Sequence, residues 1–257
     1  MNSLLQKNWY LTVVALLLFT SAGLAQTTTN VTFGSGVGAG GSNIVGSYYV
    51  DPYSLTYGGV YTTYAICDDW TNEVSDGEKW TANVTQLPLT TSPSSVNVNP
   101  PLFSPPTGSA LTQTELYNEV AYLASQLVLN VNNQTKEAEI SFALWELTYQ
   151  QDIDGPNAQT GNDPFTYLSG EVGGTSSSEY LGAEGYLTAA EAESGYNSSG
   201  WEVLTPAGTS EGTTSSYPQE MLVHTPESSS VVMLSADIFG LLGLVFLFRR
   251  RLFRPIQ

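Results

Sequence analysis

The sequence predicts an α+β domain, a β-sandwich or partial barrel with a two-helix layer, set between an N-terminal export signal and one C-terminal transmembrane helix. Three observations predict it. Short runs of β-branched and aromatic residues, bounded by Gly and Pro, stand before and after the middle of the chain. Two stretches of helical period lie between those runs. Apolar segments occupy both ends, one preceded by a lysine and the other followed by arginines.

The ends are read first. Residues 1–25 form a signal peptide: Lys7 supplies the positive region, 11–19 (LTVVALLLF) the apolar region, and Gly23-Leu24-Ala25 the small residues ahead of a cut at Gln26. So short an apolar run favours cleavage over a retained span. Residues 231–248 (VVMLSADIFGLLGLVFLF) form the transmembrane helix. At about 1.5 Å per residue they are just long enough to cross a hydrocarbon core. Arg249, Arg250 and Arg251 hold the far end in the cytoplasm and leave the middle of the chain outside. Asp237 costs about 2.5–3.5 kcal/mol on insertion. It stands in the outer half, where it can reach toward the interface.

Charge is segregated along the chain. The net charge is −17, and 23 of 24 acidic residues fall between 26 and 227, with only Lys79 and Lys136 to oppose them. Such a surface excludes nucleic acid as a partner, because counterion replacement needs clustered Lys or Arg. It attracts divalent cations or basic partners. A single cysteine, Cys67, excludes an intrachain disulfide and a cysteine-based zinc site. A single histidine, His224, stands beside the anchor, a poor position for a Ser/His/Asp triad.

Residues 26–43 are rich in Thr, Gly and Ser and read as a flexible leader. Their glycine run is not a phosphate loop, since no Lys-Ser or Lys-Thr follows it. The acidic ectodomain then runs from 44 to 224. Residues 44–50 and 58–67 read as strands; on the second, Val60, Thr62, Tyr64 and Ile66 share one face, while Tyr61, Thr63, Ala65 and Cys67 share the other. Residues 87–109 are a proline-rich loop. Thr112 and Glu115 form a capping box, and Leu116, Val120, Leu123, Ala124 and Leu127 fall on one face of a helix over 113–129. The 136–150 stretch is apolar on most faces, which marks a buried central helix. Residues 151–178 read as a polar loop and 187–194 as a brief helix capped by Thr188. Residues 201–205 and 217–224 read as closing strands.

Thr225-Pro226-Glu227-Ser228, the span, and Arg249-Arg250-Arg251 together resemble the bacterial PEP-CTERM sorting tail, covering residues 225–257. That tail has a Pro-Glu-Pro motif, a transmembrane helix and a short Arg-rich terminus; here Ser228 takes the place of the second proline. The resemblance implies recognition by an exosortase-type membrane peptidase, removal of the tail, and a cell-surface or extracellular destination. In order along the chain, Cys67-Asp68-Asp69, Ala121-Tyr122-Leu123-Ala124, Ala143-Leu144-Trp145 and Gln219-Glu220 are similar to a group of exported PEP-CTERM proteins of exopolysaccharide-producing bacteria. A strand ending in Cys67 and the Ile140–Trp145 stretch resemble the thioester domains of Gram-positive surface adhesins, which join a Cys to a Gln. The position read as that Gln holds Ser141, which has no carboxamide, so the resemblance implies a fold and not that bond.

Three groups are candidates for chemistry. Cys67 reads as a small buried apolar residue, an intermolecular disulfide partner, or a reactive thiol. Asp152, Asp154 and Asp163, with Asn157 and Asn162, offer hard oxygens that suit calcium. They lack the closing Glu of an EF-hand, and a solvated acidic loop is the other reading. A second acidic group, Asp68, Asp69, Glu73, Asp76 and Glu78, follows the Cys67 strand. The expected function is a non-enzymatic structural or adhesive protein of the cell surface or extracellular matrix. It would be held in the membrane by its C-terminal helix and would bind polysaccharide or surface proteins, without a resident cofactor. The alternative is an exported glycan-active hydrolase using paired carboxylates in a cleft walled by Trp70 and Trp80.

Overall fold

The computed structural model describes residues 27–36, 43–89, 101–105, 110–151, 163–208 and 218–224. Both terminal apolar segments and the sorting residues Pro226, Glu227, Ser228, Arg249, Arg250 and Arg251 lie outside the described residues, as do Asp152 and Asp154. Among the described residues, no helix is long and apolar enough to cross a membrane.

The domain is α+β. Its strands are β1 (Thr27–Gly36), β2 (Ile44–Val45), β3 (Tyr48–Tyr49), β4 (Tyr53–Tyr57), β5 (Val60–Cys67), β6 (Lys79–Gln86), β7 (Trp201–Pro206) and β8 (Met221–His224). Six of them close into an antiparallel barrel in the order β1-β4-β5-β8-β7-β6, while β2 and β3 form a separate hairpin. Closure leaves no unpaired edge, so the fold resolves the sandwich-or-partial-barrel expectation in favour of a full barrel.

The first barrel strand falls on residues read as a leader. Val31 and Phe33 alternate into the barrel and are buried, with Asn30 and Thr32 turned the other way. Threonine and glycine content masked this two-residue period. Between β4 and β5, Gly58 and Gly59 have φ of +55° and +80°, and Tyr57 pairs directly with Val60. Two positive φ values in a two-residue loop are what a type I′ hairpin turn requires.

Among the described residues four helices form the second layer, where a two-helix layer and a brief helix at 187–194 were expected: α1 (Gln113–Leu129), α2 (Gln134–Gln151), α3 (Pro164–Val172) and α4 (Ser178–Glu191). The Thr112–Glu115 capping box is present in full at the start of α1. Helix α3 falls inside the expected polar loop; Asp163 caps it and Pro164 occupies its first turn. Helix α4 is capped by Ser177, so Thr188 is an interior residue near its end. Helix α2 is the central packed element: it contacts α1, α3 and α4. Ile140, Phe142, Ala143 and Leu144 along it have no exposed surface.

Two cores result, one on each side of the barrel wall. Ala65 and Cys67 of β5, Leu204 of β7, and Met221 and Val223 of β8 fill the barrel. Ile66, Val203 and Leu222, the alternate residues of the same strands, pack outward on the helix layer. Each fully buried Leu, Ile or Phe contributes ~1.5–3 kcal/mol through removal of apolar surface from water. Trp70 belongs to the helix-side core and Trp80 packs on the barrel core, so the two do not wall a common cleft.

Candidate functional site

The chain folds so that β5 and β8 end together. Cys67 pairs with Met221 in antiparallel register. Continuing that register past the strand ends sets Asp68 beside Glu220 and Asp69 beside Gln219. Side chains alternate across the wall, so Cys67 faces the barrel and Asp68 faces the helices.

The Asp69 carbonyl is the meeting point on the barrel side. The Cys67 thiol donates to it at 3.2 Å and the Gln219 carboxamide Nε2 donates to it at 3.0 Å. Gln219 Nε2 also donates to the Asn72 carbonyl at 2.5 Å. Thiol and carboxamide therefore lie within two hydrogen-bond lengths of each other. The 69–72 turn that presents this carbonyl is held by the Asp69 carboxylate, which accepts from Thr71 N–H, Thr71 Oγ1 and Asn72 Nδ2. From the helix layer, Trp145 Nε1 donates to the Cys67 carbonyl at 3.0 Å and Thr148 Oγ1 to the Asp68 carbonyl at 2.6 Å. The backbone of the site is thus gripped from both sides.

Cys67 is 4% exposed. Burial, then the nearby Asp69 and Asp68 carboxyls, push its thiol well above the ordinary range, so it stays neutral. With so little surface exposed, the thiol presents almost nothing to a second chain. Ser141, at the position matched to a thioester Gln, donates instead to the Val50 carbonyl at 2.8 Å and is buried.

Gln219 also lines an open pocket of about 490 Å³ at this end of the barrel. Tyr48, Tyr49, Tyr53 and Trp145 supply aromatic walls, and Glu73 and Asp76 stand exposed among its lining residues. The β2–β3 hairpin is one wall, held to the helix layer by its aromatic side chain: Tyr48 lies edge-on to Tyr167 at 4.9 Å.

Asp163 caps α3, accepting from Thr166 N–H and Thr166 Oγ1 at 2.7 Å each, while Asp152 and Asp154 lie outside the described residues. No group of three or more metal-ligating side chains is present among the described residues. His224 is exposed at the end of β8, its ring 5.1 Å from that of Trp201.

Gln219 was the residue missed as a partner of Cys67. Its signal was the Gln-Glu pair opening a strand, which acquires meaning only once β8 is known to pair with β5. No family model, curated protein or solved structure matches this chain.

Proposed function

We propose that this chain is an exported, non-enzymatic protein of the cell surface or extracellular matrix whose ectodomain attaches covalently to a partner through an internal thioester between Cys67 and Gln219. The single observation that carries the reading is the convergence of the Cys67 thiol and the Gln219 carboxamide on the Asp69 carbonyl. Sγ attacks Gln219 Cδ, the C–S bond forms, the C–N bond breaks, and the thiol proton leaves with the nitrogen as ammonia. No oxidant is required. A partner nucleophile entering the pocket then meets the acyl carbon, because Gln219 lines that pocket while Cys67 does not. Attack there releases the thiol and leaves the partner joined to the Gln219 side chain. The export signal and PEP-CTERM-like tail support delivery to the surface by an exosortase-type peptidase.

The geometry does not favour the glycan hydrolase. The acids lining the pocket, Glu73 and Asp76, are exposed, and the two acids that lie together, Asp68 and Glu220, are fully buried on the other side of the barrel wall.

Intact-mass measurement of the mature protein from its native host tests the reading. The expected mass is lower than the sequence mass by one ammonia, with a methylamine adduct and one free thiol appearing on treatment. Cys67→Ala and Gln219→Ala each abolish both signals. A full sequence mass with no methylamine uptake rejects the thioester. A soluble cytosolic chain still beginning at Met1 rejects export.

A further inference from the structure

Behind the Cys67–Gln219 pair, one residue further along each strand, stands a second pair. Asp68 and Glu220 are both completely buried, and the register of β5 on β8 brings them together on the helix side. Their surroundings are unequal. Glu220 accepts from Tyr117 Oη at 2.5 Å, from the Leu102 N–H at 2.8 Å, and from the Thr205 hydroxyl. No donor among the described residues reaches either carboxyl oxygen of Asp68.

Two carboxyls buried side by side cannot both be ionised. The one supplied with donors keeps the charge. The one without them keeps the proton, and the other carboxyl is positioned to accept it. From this arrangement we propose that Asp68 and Glu220 share one proton, and that this hydrogen bond is the positioning element that holds Cys67 against Gln219. The inference rests on the thioester reading above. Each member of the buried pair is the chain neighbour of a member of the reacting pair, so ionising both carboxyls drives the two strand ends apart.

The electrostatics agree. Burial, then the Glu220 and Asp69 charges, raise Asp68 far above the usual carboxylate range. Burial raises Glu220 to about 7, opposed by its bonds from Thr205, Tyr117 and Leu102. Among the described residues Tyr117 from α1 faces the pair, Asp69 and Cys67 act on it from the adjoining positions of the chain, and β7 contributes the Thr205 hydroxyl.

Asp68→Asn, Asp68→Ala and Glu220→Gln in the full chain test the proposal, read by ammonia loss and by thermal midpoint from about pH 5 to about pH 9. Asparagine supplies an N–H where the shared proton was. Asp68→Asn therefore keeps the thioester, while Asp68→Ala and Glu220→Gln cut its fraction about tenfold or more. The unaltered protein loses midpoint as pH rises, and Asp68→Asn flattens that fall. Equal behaviour of Asp68→Asn and Asp68→Ala, or an unchanged pH profile in Asp68→Asn, overturns the proposal. Should Asp68→Ala not fold, the contrast between Asp68→Asn and Glu220→Gln decides. Absence of ammonia loss from the unaltered protein rejects the thioester reading, and the pH profile still decides whether the proton is shared.

Discussion

The Tyr48 ring stacks on Trp70, with centroids 4.1 Å apart and planes 25° apart. Trp70 follows β5 and packs on Phe142 and Trp145 of α2, so this contact fastens the β2–β3 hairpin, which lies outside the barrel sheet, to the helix-side core. Its tip is held by the Ser47 N–H donating to Tyr167 Oη at 2.9 Å, and its base by the Asn43 N–H donating to the Asp51 carboxylate at 2.7 Å. The hairpin is therefore a fixed wall of the pocket and not a loose flap.

Gly46→Ala tests that wall. Gly46 has φ +58°, and a Cβ there would run into the Tyr167 hydroxyl. The expected cost is about 1–3 kcal/mol in urea unfolding, from backbone strain and displacement of Tyr167. A loss below a few tenths would show that the hairpin shifts freely.

Trp145→Phe removes the donor to the Cys67 carbonyl while keeping an aromatic ring. A buried acceptor left without its bond costs about 1–3 kcal/mol. Trp145→Ala adds a cavity in the helix-side core and costs about 3–5 kcal/mol. Guanidinium unfolding of both variants orders the two effects; an unchanged stability in Trp145→Phe would mean that the bond contributes nothing.

Stability is expected to rise as pH falls from about 7 toward about 4.5. Burial lifts Asp51 to about 6, against the Asn43 amide that pulls it down. Burial, then Glu191 and Glu115, lift Glu119 to about 7. Each group binds its proton in the folded chain at a pH where the unfolded chain has released it. The contribution is complete below the unfolded values of 3.8 and 4.5 and is lost as pH climbs through the folded ones. Glu119→Gln should raise the thermal midpoint at about pH 8 and flatten the slope. A midpoint that falls steadily between pH 7 and pH 5 in the unaltered protein would contradict the assignment.

Asp163→Ala separates a helix cap from a calcium ligand. Loss of the cap costs about 1 kcal/mol. The loss should be the same in calcium and in chelator. A calcium-dependent stabilisation that disappears in Asp163→Ala would restore the metal reading.

Legibility followed the range of the interactions. The span of α1 was readable to the residue, because a capping box and a single apolar face are local. The burial of α2 was readable from its all-round apolarity, and the two faces of β5 from alternation. Four further elements were not. β1 was concealed by threonine and glycine, β4 by its shortness, and β6 by its polar-rich sequence. Helix α3 was concealed within a stretch that reads as loop, although Asp163-Pro164 was a start signal in plain view.

The sequence by itself determined the charge segregation, the class of the fold, the two central helices and the uniqueness of Cys67, since each depends on residues near one another in the chain. Only the tertiary structure decided that the strands close into a barrel and that Gln219, rather than Ser141, shares the Asp69 carbonyl with the thiol. The physical reason is register: which residues stand beside the end of β5 is settled by hydrogen bonds between β5 and β8, strands separated by the entire helix layer, and no local pattern encodes that pairing.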